Sequence, residues 1–303
     1  MRRYRYLHYD VFTDRVFEGN QLAVFPEAAG LSTGEMQQIA REMNFSESTF
    51  ILPAGAQGTD IRMRIFTPGE ELPMAGHPTI GSTFALVAEG VIQPGRTSFV
   101  FGLNVGPTPV SLEWREKDLD FAWMTQLTPT VGGQIRDRAA FAQAVGVEAA
   151  DLLEGAPIEV ISCGVPFLIA ALTLPSAVDR VAIDRRRYAA CCKEAGLEER
   201  PLFVFALVPG ASGGESVYSR MLAPGLGVSE DPATGSASGP LGCFLSAHSL
   251  LPFTRLSHFI SLQGVAMGRP SRIHVSIGLM GNAVTSVRVG GRSVLVGGGV
   301  LEF

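Results

Sequence analysis

Most of the chain reads as short runs in which apolar and polar residues alternate. Two stretches depart from this and are apolar on nearly every side at helical spacing. Residues 6–13 and 21–25 carry strand patterns, and Ser32-Thr33-Gly34-Glu35 has the form of a capping box that opens a helix over residues 36–43. Residues 48–52 and 60–66 predict two more strands, the second alternating arginine with apolar side chains as a half-buried strand does. Residues 79–89 follow as a helix whose apolar residues (Ile80, Phe84, Leu86, Val87) leave no polar face, which suits a helix enclosed by sheet. Strands recur to about residue 123, and the polar, glycine-containing run 126–133 reads as the linker between two halves.

The second half repeats the order. Strands are predicted at 157–163, 166–174, 202–208 and 216–222, with a helix over 185–195 and a Gly/Ser-rich turn at 210–214. A second enclosed helix spans 235–250, and strands at 258–263, 272–277, 283–289 and 293–301 close the chain. Arg64-Ile65-Phe66-Thr67-Pro68-Gly69 with Ala75-Gly76-His77-Pro78-Thr79 is answered by Arg220-Met221-Leu222-Ala223-Pro224-Gly225 with Thr234-Gly235-Ser236-Ala237-Ser238. Each copy is a strand, a turn and a small-residue segment opening a helix, with Pro78 taken as the first helical residue, where its missing N–H costs nothing. The expected architecture is α+β: two pseudo-symmetric domains, each a rolled mixed β-sheet around a central helix. The first covers residues 1–125, joined by the last strand at about 293–303, and the second covers 126–292.

Composition narrows the partners. A formal net charge of -5 argues against a nucleic-acid footprint, and the basic run Arg185-Arg186-Arg187 reads as a solvated face beside Asp184. The N-terminal arginines are followed by no apolar h-region, and the weakly polar stretch 165–174 is too short to span a bilayer, so no membrane partner and a cytoplasmic location are expected. Cys163, Cys191, Cys192 and Cys243 have no CxxC or zinc spacing, and His8, His77, His248, His258 and His274 form no HxxxH or HxH group. The expectation is reduced, buried thiols and no metal.

The acid–base inventory is short. In Asn44-Phe45-Ser46-Glu47-Ser48-Thr49-Phe50 one carboxylate lies between a helix end and a strand, where desolvation would raise its pKa and suit it to take and return a proton; an exposed loop glutamate is the plain alternative. His77 at a helix start can donate to a carbonyl or amine, or simply cap its turn. Asp231, before Pro232, can serve as an acid or as an acceptor for a substrate amine, or close a turn. Ser236 offers a hydroxyl and an N–H at the second helix start, or caps it. Glu70 and Glu71 read as solvated turn residues. The two helix starts, with their unpaired N–H groups, make a natural clamp for one small carboxylate.

Gly19-Asn20-Gln21-Leu22-Ala23-Val24-Phe25, the heptapeptide around Glu47, Arg64 to Pro68, Ala75 to Thr79, Glu230-Asp231-Pro232-Ala233-Thr234-Gly235-Ser236-Ala237 and Met267-Gly268-Arg269-Pro270-Ser271 together resemble the PhzF-type phenazine-biosynthesis family along essentially the whole chain. Gln21 and Phe45 depart from its usual proline and leucine. The resemblance implies a diaminopimelate-epimerase-like fold, a homodimer, and a cofactor-independent isomerase that shifts a double bond in a substrate such as trans-2,3-dihydro-3-hydroxyanthranilate. It also implies roles. Glu47 becomes the proton shuttle, His77 and Asp231 contact the substrate's polar groups, Ser236 is a catalytic-site serine, and the backbone at Gly76, His77, Gly235 and Ser236 holds the carboxylate.

Racemases of the same fold use a cysteine at each helix start; here those positions are Ala75 and Thr234, so a two-cysteine racemase is not expected. A non-catalytic carboxylate-binding protein on the same fold is the alternative. A metal hydrolase or a dehydrogenase lacks both ligand spacing and a GxGxxG turn.

Overall fold

The computed structural model describes residues 1–55, 57–208, 214, 216–226, 228–252 and 256–303, so most of the Gly/Ser-rich turn expected at 210–214 lies outside the described residues. The chain divides into two compact units, Met1–Thr125 with Val289–Phe303, and Gln126–Arg288.

In the first unit the strands are β1 (Arg3–Val11), β2 (Asn20–Phe25), β3 (Glu47–Leu52), β4 (Ile61–Phe66), β5 (Glu71–Leu72), β6 (Ser98–Leu103), β7 (Gly106–Arg115) and β8 (Asp118–Gln126), with helices α1 (Thr33–Met43) and α2 (Gly76–Ala88). β1 pairs antiparallel with β2, β2 runs parallel to β3 across α1, and β4 runs parallel to β6 across β5 and α2. The remaining neighbours, β3 with β4, β4 with β5, β6 with β7 and β7 with β8, are antiparallel.

The second unit repeats this grammar. Its strands are β9 (Thr130–Ile135), β10 (Ile158–Ser162), β11 (Pro166–Leu172), β12 (Leu202–Leu207), β13 (Val217–Ala223), β14 (Val228–Asp231), β15 (Leu256–Gln263), β16 (Ser271–Met280) and β17 (Ala283–Gly291). Helices α3 (Arg138–Ala144), α4 (Pro175–Arg180), α5 (Arg185–Glu194) and α6 (Gly235–Ala247) complete it. β10 and β11 are antiparallel, β11 runs parallel to β12 across α4 and α5, and β13 runs parallel to β15 across β14 and α6. The final strand, β18 (Ser293–Glu302), lies antiparallel along β1 from Arg3↔Glu302 to Val11↔Ser293, and β9 takes the same place beside β10.

Each unit is layered by its hydrophobic pattern. α2 buries Thr79, Ile80, Gly81, Ser82, Thr83, Ala85 and Leu86, so all of its faces are covered, as its nearly uniform apolarity requires. α1 is amphipathic and buries one side only, where Met36, Ile39 and Ala40 meet Phe25, Phe50 and Phe66. In the second unit α6 is enclosed by Phe203, Phe205, Val217, Val275 and Ile277, while Phe141, Val178 and Tyr188 of α3, α4 and α5 pack with Leu168, Val204 and Tyr218 in a separate core.

Three expectations change. The run 126–133 is not a plain linker, because β9 begins at Thr130; its residues are almost all exposed, which is why its composition resembles a loop. α2 starts at Gly76, so Pro78 is the third helical residue; its missing N–H still falls in the first turn, where no intrahelical acceptor exists. Glu71 is no solvated turn residue: it opens β5 and accepts from Arg64 Nε and Nη2 at 2.8 and 2.6 Å. Arg220 and Glu230 make the equivalent two-pronged pair at 2.9 and 2.8 Å between β13 and β14. The Arg64 contact holds Glu71 below the usual carboxylate range against the opposing effect of burial.

Candidate functional site

Glu47 is placed by the end of one helix and the start of one strand. α1 stops at Asn44, whose backbone is left-handed (φ 53°), a conformation asparagine tolerates better than most residues. Phe45 then packs against His8 at a tilt of 35°, ring centroids 4.7 Å apart, and β3 opens at Glu47, opposite Leu22 of β2. His77, the second residue of α2, approaches from the other side: its Nε2 is 3.0 Å from Glu47 Oε2. The Thr49 and Ser82 hydroxyls, 2.9 Å apart and buried, tie β3 to α2 and hold this approach. The Glu47 side chain keeps 15% of its surface and His77 only 4%, so the carboxylate alone of the two retains some access.

Asn20 completes the group. It is fully buried at the first position of β2, and its Nδ2 lies 3.2 Å from His77 Nδ1. Gly19 precedes it with φ +70°, and a Cβ there would sit 2.3 Å from the Val11 carbonyl oxygen, so only glycine lets the chain turn back so tightly into β2.

In the second unit Asp231 ends β14 and is buried, and Thr234 is the N-cap of α6. The Thr234 hydroxyl donates to Asp231 Oδ2 at 2.5 Å and accepts from Gln263 Nε2 at 3.0 Å. Gln263, fully buried at the end of β15, also donates to the Asp231 carbonyl at 2.7 Å and accepts from the Thr234 N–H at 3.1 Å. One amide therefore fixes the whole turn from β14 into α6. Gln126 Nε2 adds a bond to the Gly235 carbonyl at 2.9 Å. Ser236 is the second residue of α6 and half-buried.

Both helix starts lack a side-chain cap: Ala75 has no group to offer, and the Thr234 hydroxyl is turned toward Asp231 instead. First-turn N–H groups of this kind carry partial positive charge and suit a carboxylate. The structure thus brings Glu47 and His77 together in the first unit, with Gly76 directly before His77 in sequence, and sets Asp231, Gly235 and Ser236 around one turn of the second. Asn20, Gln126 and Gln263 are the participants that sequence reasoning missed. Asn20 stood inside a motif without an assigned role, and Gln263 directly precedes the run that leads to Met267-Gly268-Arg269.

Among the described residues no group of three or more His, Cys, Asp or Glu side chains could hold a metal ion, and no helix is long and apolar enough to cross a membrane. All four cysteines are free and buried. Cys163 and Cys243 have sulfurs 3.8 Å apart, and that contact, with burial, pushes the Cys163 thiol far above its ordinary value; burial takes Cys191 up to about 11. None stands at a helix start, where Ala75 and Thr234 are the N-caps.

This repeated rolled-sheet architecture is shared with a hydroxyproline epimerase from Agrobacterium vitis: TM-score 0.66, with 99% of this chain and 92% of that chain covered, at an identity of 13% that speaks for the fold alone. A much closer match, TM-score 0.89 over the whole of both chains at 26% identity, is to a phenazine biosynthesis protein of the PhzF family from Bacillus anthracis. The trans-2,3-dihydro-3-hydroxyanthranilate isomerase of Pseudomonas aeruginosa is 36% identical over 95% of each chain. The pattern of the PhzC-PhzF family, described as phenazine biosynthesis-like protein, matches residues 9–299, and the chain belongs to that family, as an enzyme of the isomerase class.

Proposed function

We propose that this isomerase shifts a double bond in a small carboxylate by moving one proton, without a cofactor, and that Glu47 carries the proton. The observation that supports this most is the 3.0 Å approach of His77 Nε2 to Glu47 Oε2 at a largely buried carboxylate. With Oε2 held against the imidazole, Oε1 takes a proton from carbon; the electron pair moves through the unsaturated system, and Glu47, whose carboxyl proton exchanges with solvent, returns a proton to a different carbon. Atoms and charge balance with no oxidant or hydride donor. The first-turn N–H groups at the start of α2, which carries His77, suit the substrate's carboxylate and offset the charge that develops on it; in the second unit the start of α6, with Asp231 and Ser236, offers the same kind of donors beside polar side chains.

The relatives named trans-2,3-dihydro-3-hydroxyanthranilate isomerase, at 36% and 35% identity, make that compound the first substrate to test. Incubated with the protein in D2O and followed by proton NMR, it is expected to disappear with deuterium entering the ring. Glu47→Gln, which keeps the shape and removes the base, is expected to slow turnover by about 10²–10⁴-fold. Full activity in that variant would overturn the assignment of Glu47. Binding of the compound without exchange would favour a carboxylate-binding protein.

A further inference from the structure

We propose that Asn20 is a positioning residue that fixes His77 as the neutral imidazole protonated at Nε2, so that His77 presents an N–H to Glu47 and is kept from taking the transferred proton itself. The mechanistic half rests on the reading of Glu47 as acid and base; the tautomer does not.

A neutral imidazole has one donor and one acceptor nitrogen, and its neighbours decide which is which. At Nδ1, 3.2 Å away, the amide of Asn20 is placed with Nδ2 toward the ring, and an amide nitrogen only donates, so in this arrangement Nδ1 is the acceptor. At Nε2, 3.0 Å away, stands the Glu47 carboxylate, close but not aligned as a hydrogen bond; an ionised carboxylate attracts an N–H and repels a bare lone pair, so it favours the hydrogen on Nε2. Asn20 on β2 sets the Nδ1 end of the ring by a hydrogen bond, and the charge of Glu47 on β3 favours the same tautomer at the other end. Protonating Nδ1 would set an N–H against the Asn20 amide hydrogens.

Asn20 is itself hard to displace. It is fully buried, it is in register with Val11 of β1, and it follows the glycine that the Val11 carbonyl leaves no room to replace. His77 is 3% exposed at a helix start, with little freedom to turn its ring. Which ring nitrogen of an imidazole carries the proton is set by the hydrogen bond made at the other, and the Asn20 amide makes that bond here.

The test reads the ring directly. Protein labelled with ¹⁵N-histidine, kept in mildly alkaline solution, is examined by long-range ¹H–¹⁵N correlation, with His77→Gln used to assign the signal. Wild type is expected to show Nδ1 bare and Nε2 protonated. Asn20→Asp offers an acceptor in place of the donor, and is expected to place a hydrogen on Nδ1; Asn20→Ala is expected to give a mixture. With dihydro-hydroxyanthranilate as substrate, Asn20→Asp is expected to lower kcat about 10- to 100-fold with a smaller change in KM. A wild-type His77 protonated at Nδ1, or an Asn20→Asp spectrum unchanged from wild type, would overturn the proposal. The wild-type spectrum decides the tautomer even if both variants fail to fold. Failure of the wild type to turn over the compound would count against the proposed reaction and leave the tautomer result standing.

Discussion

Two kinds of residue build the candidate site, and they differ in how visible they are. Glu47 and His77 stand out in sequence because each is an ionisable group in an otherwise apolar or small-residue setting. Asn20 and Gln263 do not, because a neutral amide has no chemistry of its own until the fold sets it against a partner. Gly264 is a similar case: it follows Gln263 with φ +76°, and a Cβ there would meet the Arg269 and Pro232 carbonyl oxygens at 2.4 and 2.5 Å. Both obstacles are backbone, so neither can swing away. Gly264→Ala is therefore expected to cost about 1–3 kcal/mol in chemical denaturation and, by displacing Pro232, to loosen the Asp231–Thr234 turn. A variant as stable as wild type would show that the turn tolerates the shift.

At the scale of elements, the strand and helix patterns identify most of the pieces, since periods of two and of 3.6 survive in nearly all of them. What they miss is short or exposed. β5 and β14 are too brief to show a period, and β9 hides its alternation because an exposed strand has no buried face to mark. The arginine–glutamate pairs are invisible for a related reason: Arg64 and Glu71 become partners only once β4 and β5 lie side by side. Because Glu71 is held below its usual range in the folded state, its contribution is complete above about pH 4.3, the unfolded value, and is lost as pH falls through the lower folded value. Glu71→Gln is expected to lower stability by about 1–3 kcal/mol near neutrality and to flatten the fall in stability below about pH 4. Urea titrations across that range would measure both. Equal slopes in the two proteins would mean that Glu71 contributes nothing to the acid transition.

At the scale of the whole molecule, the internal repeat gives both units the same succession of parallel and antiparallel neighbours, yet it leaves them chemically unlike. The first unit sets an acid against an imidazole at its buried helix, and the second sets an acid against a hydroxyl and an amide. The first unit also depends on a strand from the far end of the chain, for β18 runs along β1 over its full length. Ending the chain at Arg292 is expected to strip the first unit of that neighbour, with rapid proteolysis inside residues 1–125 while 126–288 resists. Survival of both units would show that β1 and β2 pair stably enough alone.

That dependence sets a timetable. Synthesis passes β1 before it reaches β18, and domains ordinarily fold in the order in which they are made. Here every strand of 126–288 has been made before Ser293 is joined, whereas β1, made before all of them, lacks one neighbour until β18 follows. Of the two units, the one begun first is completed second, and its open edge must be kept from foreign strands in the interval.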